Sequence, residues 1–138
     1  MLFKDQEHRA FYQAMTSTCR DDVYTRALIY TLGICPDTRK RFNLIYTGQE
    51  IDPEQLHQPW QTGTSLKVTR LAFNLYTDGE PTAFTEGDIT KEILKECSYY
   101  SVSDVFCCEY APYFMQAIKI RYPEYCHVSD EFSNDTHR

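Results

Sequence analysis

Several marks of common functional classes are missing from this sequence. Basic residues are in the minority, with 14 Lys and Arg against 20 Asp and Glu, for a formal net charge of −6. Non-specific nucleic-acid binding, which works by neutralising phosphates, is therefore disfavoured. No stretch approaches the ~20 consecutive apolar residues of a helical membrane span. The opening "MLFKDQEHRAFYQAM" lacks the apolar centre of a signal peptide. Both absences lead to the expectation of a cytoplasmic protein. The six cysteines are Cys19, Cys35, Cys97, Cys107, Cys108 and Cys126, and no two form a CxxC pair. In a cytosolic chain they are expected to be reduced rather than paired in disulfides. Internal repeats and low-complexity runs are also missing.

Aromatic residues are abundant: 14% of the chain, including eleven Tyr and eight Phe, within a hydrophobic total of 42%. That composition argues for a packed core and against disorder in the main body. A length of 138 residues fits one domain.

The hydrophobic period is helical almost throughout. A first helix is expected over Asp5–Thr16, with Phe11, Tyr12 and Met15 facing inward. A second starts at Asp21 or Asp22 and runs to "LGI", where Gly33 loosens its end. Its apolar residues nearly encircle it, which predicts burial on several sides. Pro36 interrupts the chain, and Asp37 or Thr38 can cap a third helix. "IDPEQL" reads as a short helix with Asp52 as cap and Pro53 at the first helical position. A fifth starts at Thr64 or Ser65 and ends near Asp78 and Gly79. A short helix over Ile89–Cys97 follows the loop-like "DGEPTAFTEGD". The last helical stretch is capped by Ser101 or Ser103, carries Pro112 and ends at Pro123. The expected fold is all-α, a compact irregular bundle of about six or seven helices. The helical domain spans residues 1–125, and residues 126–138 form a polar tail.

One segment raises a functional question: "PWQTGTSLKVTRLAFNLY", residues 59–76. On a helical wheel its apolar residues cover about 220° of circumference, leaving a strip of about 60° for Lys67, Arg70 and Asn74. Upstream lie Thr62, Gly63, Thr64 and Ser65. Free amides at a helix start, small residues and nearby cations can hold a phosphate or carboxylate. "GTSLK" lacks the spacing of a Walker A loop. The same residues also suit a plain capped helix with a solvated cationic strip.

Other clusters carry weaker signals. Cys107 and Cys108 would need a base to act as nucleophiles, and none of His8, His57, His127 or His137 stands in a motif that supplies one. Cys126, His127, Asp130 and Glu131 could ligate a metal, but structural zinc generally needs a second ligand pair, so neither metal nor cofactor is expected. Tyrosine concentrates in the last third, in "SYY", "EYAPYF" and "RYPEY". Tyr99, Tyr100, Tyr110 and Tyr113, with Glu109 and Glu124, form a candidate surface for a protein partner, since Tyr can bury its ring and pair its hydroxyl.

The phrases "YTLGICPDTR", "PWQTGTSLKVTRLAFNLY" and "FCCEYAPYFMQAIKIRYPEY" resemble a family of short, uncharacterised proteins from Firmicutes, chiefly clostridial genomes, and from their phages and mobile elements. The resemblance covers most of residues 1–125 and transfers no catalytic residue. It implies a setting in which small acidic proteins often interfere with host enzymes, immune nucleases among them. The leading expectation is a non-enzymatic protein that binds a macromolecular partner, an inhibitor of a bacterial defence system. The alternative is a phosphate- or nucleotide-binding helical domain, enzymatic or not, built on residues 62–70. Direct nucleic-acid binding through Arg39, Lys40, Arg41, Lys67 and Arg70 is the least favoured by the overall charge.

Overall fold

Nine of the twelve residues of Val23–Ile34 are buried, and this helix is the axis of the molecule. The computed structural model describes residues 1–83 and 90–127. Among these, α1 is Gln6–Thr16, α2 Val23–Ile34, α3 Pro36–Arg39 and α4 Phe42–Ile45. A 3-10 turn covers Pro53–His57, followed by α5 (Gly63–Thr77), α6 (Thr90–Ser98), α7 (Val102–Val105) and α8 (Ala111–Arg121). Among the described residues the only β pairing is an isolated antiparallel bridge, Tyr46 with Ile51. The all-α expectation holds, and no described helix is long and apolar enough to cross a membrane. The helices outnumber the expected six or seven because Phe42–Ile45 and Val102–Val105 form short helices of their own.

The apolar residues that encircle α2 meet neighbours on two sides. On one, Ala27, Tyr30 and Ile34 join Val68, Leu71 and Leu75 of α5 and Phe114, Ala117 and Ile120 of α8. On the other, Leu28, Ile29 and Leu32 join Ala72 and Phe73 of α5, Phe42 and Ile45 of α4, and Leu56 of the 3-10 turn. The α2–α5 pair is thus a central layer clad by α8 on one face and by α4 and the 3-10 turn on the other.

Local chemistry sets the boundaries. Asp5 and Asp22 cap α1 and α2, accepting from the amides of His8 and Thr25. Pro36 stands at the first position of α3, so the cap position is Cys35, not Asp37 or Thr38. Thr38 instead turns inward and donates to the Leu32 carbonyl at 2.6 Å. "IDPEQL" winds as a 3-10 turn behind the Asp52 cap. Gly33 does not loosen α2. It lets α1 approach, for a Cβ there would lie 2.8 Å from Phe11 Cδ2 and 3.0 Å from His8 Cδ2.

Phe11, Tyr12 and Met15 are only half-buried, and the buried residue of α1 is His8. Its Nδ1 accepts from the Lys4 amide at 3.1 Å and its Nε2 lies 2.8 Å from the Tyr30 carbonyl. Those partners fix the neutral tautomer with the proton on Nε2. The segment before α1 lies across α2 and α8: the Tyr30 hydroxyl donates to the Leu2 carbonyl and the Leu2 amide to Gln116 Oε1.

At the far end of the core, Arg121 of α8 is buried and closes α5. Its Nε donates to the Leu75 carbonyl at 2.9 Å and its Nη2 to Asp78 Oδ1 at 2.8 Å. Its guanidinium carbon lies 3.7 Å from the Tyr24 ring centroid and 4.5 Å from that of Tyr122. Asp78, the C-cap, sits in the left-handed region at φ 61°.

Helix α6 is held differently. Its buried side chain is a carboxylate, Glu96. Glu96 lies 2.8 Å from His57 Nε2 and accepts from the Ala83 amide at 3.1 Å. The Cys97 thiol and the Tyr100 hydroxyl donate to the carbonyls of Glu80 and Pro81. The expected start of this helix at Ile89, and most of the polar tail expected over 126–138, lie outside the described residues.

Candidate functional site

The start of α5 is a closed hydrogen-bond circuit. Thr62 is the N-cap, not Thr64 or Ser65, and forms a capping box with Ser65. Thr62 Oγ1 accepts from the Ser65 amide at 3.1 Å, and Ser65 Oγ accepts from the Thr62 amide at 2.7 Å. Ser65 Oγ also donates to Gln61 Oε1 at 2.6 Å, and Gln61 Nε2 donates to Thr69 Oγ1 at 3.1 Å. The cap and box hydroxyls are therefore engaged within the protein. Gly63 is exposed, and a Cβ there would meet nothing within 4 Å. Thr64 is half-buried.

The strip of Lys67, Arg70 and Asn74 is half-buried rather than solvated, because α7 and the chain leading into it lie over that side of α5. The wheel misplaced it because it could not see which later segment covers the strip. Lys67 Nζ donates to the Asp104 carbonyl in α7. Asn74 Nδ2 donates to the Gly79 carbonyl at 2.8 Å and closes the turn after α5.

Arg70 differs from both. Its guanidinium carbon lies 4.9 Å from the Tyr99 ring centroid. None of the described carboxylates pairs with it, and its Nε is buried without a hydrogen-bond acceptor. A buried donor left unpaired costs about 1–3 kcal/mol. Beside it opens a cavity of about 160 Å³. The α5 wall is Arg70, Leu71, Asn74 and Leu75; opposite stand Val105 and Phe106, with Ile118 of α8 completing the apolar lining. Tyr100, Val102 and Tyr122 border it, and Val102 is 73% exposed. Arg70 is the one charged residue in this lining. Burial pushes the Tyr100 phenol up, and the nearby Arg70 charge pulls against that rise.

The candidate tyrosine surface separates into different neighbourhoods. Tyr99 is exposed, and with half-buried Tyr100 it belongs to the Arg70 cleft. Tyr110 is half-buried, with Lys4 Nζ 5.2 Å from its ring centroid. Tyr113 is half-buried against the α2–α8 core. Glu109 and Glu124 are exposed.

All six cysteines are free thiols; Cys35 is buried and Cys107 exposed. Among the described residues no group of three His, Cys, Asp or Glu side chains converges on a possible metal position. Asp130 and Glu131 lie outside the described residues. Sequence reasoning singled out Arg70 and Asn74 but missed the apolar wall of Val105, Phe106 and Ile118. Their side chains meet α5 only through the tertiary fold, and no local motif signals that.

No curated protein matches the chain. No solved structure matches it either. A family model, DUF6075, described as a family of unknown function, matches residues 1–134. The chain, with its α2–α5 layer and the cleft beside Arg70, belongs to that family.

Proposed function

We propose that the protein works by binding a protein partner through the cleft between α5, α7 and α8, without catalysing a reaction. The observation that carries this reading is Arg70, a cation with no described carboxylate partner, set in the wall of an apolar cavity. Binding hot spots are typically pockets beside Arg and aromatic side chains, where a partner supplies the missing polar group and excludes water. Exposed Tyr99 and Val102 extend the apolar surface at the cleft. A phosphate or nucleotide at residues 62–70 is less favoured, because the Thr62 and Ser65 hydroxyls are already engaged. In the setting implied by the resemblance to clostridial, phage and mobile-element proteins, the partner is a host defence enzyme, met in the cytoplasm.

Affinity capture from a native host, run in parallel with wild type and Val102→Asp, tests this. Val102 is too exposed for the added charge to disturb the core. A partner retained by the wild type and lost from Val102→Asp supports the reading. Equal recovery of every captured protein by the two refutes it.

A further inference from the structure

We infer that the cleft is built for a compact apolar residue carrying a free carboxylate, the C-terminal residue of a partner polypeptide, with its side chain in the cavity and its carboxylate on Arg70. The inference rests on reading this cleft as the recognition surface and adds the chemistry of the anchor.

Size sets the first limit. At about 160 Å³ the space is close to the ~150 Å³ apolar cavity that accommodates a benzene molecule. It is smaller than the roughly 300–1,000 Å³ of pockets for drug-sized ligands. A Leu, Ile or Phe side chain suits it; a nucleotide does not. Leu71, Leu75, Val105, Phe106 and Ile118 offer such a group apolar surroundings.

Charge sets the second. Arg70 is the one charged lining residue, so a bound anion meets no carboxylate in the cavity wall. Its ring contact with Tyr99 leaves the planar guanidinium able to donate to a carboxylate. Asn74 uses its amide nitrogen on the Gly79 carbonyl, and Tyr100 uses its hydroxyl on the Pro81 carbonyl. Arg70 is therefore the lining group whose donor is buried and unmet. A charge-assisted pair there would satisfy it.

The mouth sets the third. Val102 borders the cavity yet is 73% exposed, and Tyr99 beside Arg70 is 38% exposed. A free acid small enough for the cavity would leave both uncovered. A chain end covers them with the residues that precede it.

The test is amide-resolved NMR titration of the full chain with three probes: N-acetyl-leucine, N-acetyl-leucinamide and 4-methylpentanoate. The expected result is saturable shifts at Leu71 and Val105, with the acid N-acetyl-leucine about tenfold tighter than its neutral amide; one charge-assisted hydrogen bond is enough for a factor of ten. Arg70→Gln should remove that preference, and Arg70→Lys should keep part of it. Both should leave the rest of the spectrum unchanged, since Arg70 makes no hydrogen bond to a described residue that folding would miss. Equal affinity for acid and amide, shifts centred away from the cavity, or an acid preference that survives Arg70→Gln would overturn the inference. Tighter binding of 4-methylpentanoate than of N-acetyl-leucine would overturn it in favour of a free small acid. These outcomes are separate from the Val102→Asp capture, which tests the reading beneath it: a captured partner with no acid preference sinks the inference alone.

Discussion

Replacing Arg121 with Ala should destabilise the protein more than almost any other single change at a charged residue. The side chain is 7% exposed and has four partners: the Leu75 carbonyl, Asp78 Oδ1, and the rings of Tyr24 and Tyr122. A charge-assisted hydrogen bond contributes about 1.5–3 kcal/mol. A partly desolvated cation–π contact adds about 0.5–2 kcal/mol. These do not sum, because one guanidinium makes them all and its own burial costs energy. The better guide is the loss on breaking a buried pair, about 3–5 kcal/mol, and that is the expected effect of Arg121→Ala. Asp78 is different, its side chain being 52% exposed. Water can replace it on the guanidinium, so Asp78→Asn should cost no more than about 1 kcal/mol; Asn also tolerates the left-handed backbone. Arg121→Lys keeps the charge but loses the planar fork that serves Leu75 and Asp78 together, and should fall between the two. Urea unfolding of the three variants and of the Arg121/Asp78 double mutant measures each loss and the coupling. A loss under about 1 kcal/mol for Arg121→Ala would refute the view that this residue locks α8 onto the end of α5.

Other outcomes follow from single positions. Burial holds the His8 imidazole below its ordinary pKa, so the folded protein keeps it neutral where the unfolded chain takes up a proton. Its contribution is therefore complete above pH ~6.5 and is lost as pH falls from there through the folded pKa; an NMR titration placing the folded midpoint at or above 6.5 would contradict this. Gly33→Ala should destabilise by about 1–3 kcal/mol despite the better helix propensity of Ala, because the new methyl overlaps Phe11 and His8; an unchanged or raised melting temperature would show that α1 shifts freely. Phe73 is fully buried, and Phe73→Ala should cost about 3–5 kcal/mol in denaturant unfolding; a loss under ~1 kcal/mol would place α5 at the edge of the core.

The helical period was readable because it needs only local order. The encircling apolar pattern of Val23–Ile34 announced a helix covered on several sides, and it is. Acidic and proline boundaries were readable for the same reason, as Asp5, Asp22 and Pro53 show. What a wheel cannot supply is the identity of the covering segment. Lys67, Arg70 and Asn74 form a true strip, but α7, some thirty residues further on, lies across it and gives each a separate task. Gly33 was misjudged by the same limit: locally a weak helix former, it is in three dimensions the place where two helices come closest. His8 gave no sequence signal, because its two ring partners come from Lys4 and Tyr30, on either side of it in the chain.

The way α6 is fastened has a consequence for motion. Most helices here are held by apolar surface that must be re-wetted if they detach, but α6 is pinned by Glu96, the Cys97 thiol and the nearby Tyr100 hydroxyl. Polar pins exchange for water at little net cost, since an intramolecular hydrogen bond contributes only about 0.5–1.5 kcal/mol over its hydrated alternative. Helix α6 is therefore the cheapest unit to open, and its amides should exchange with deuterium through a local event, well before those of α2 and α5. Tyr99 follows α6 directly and rests on Arg70, so each such opening also uncovers the guanidinium, and the population of the open state sets how often a partner finds it.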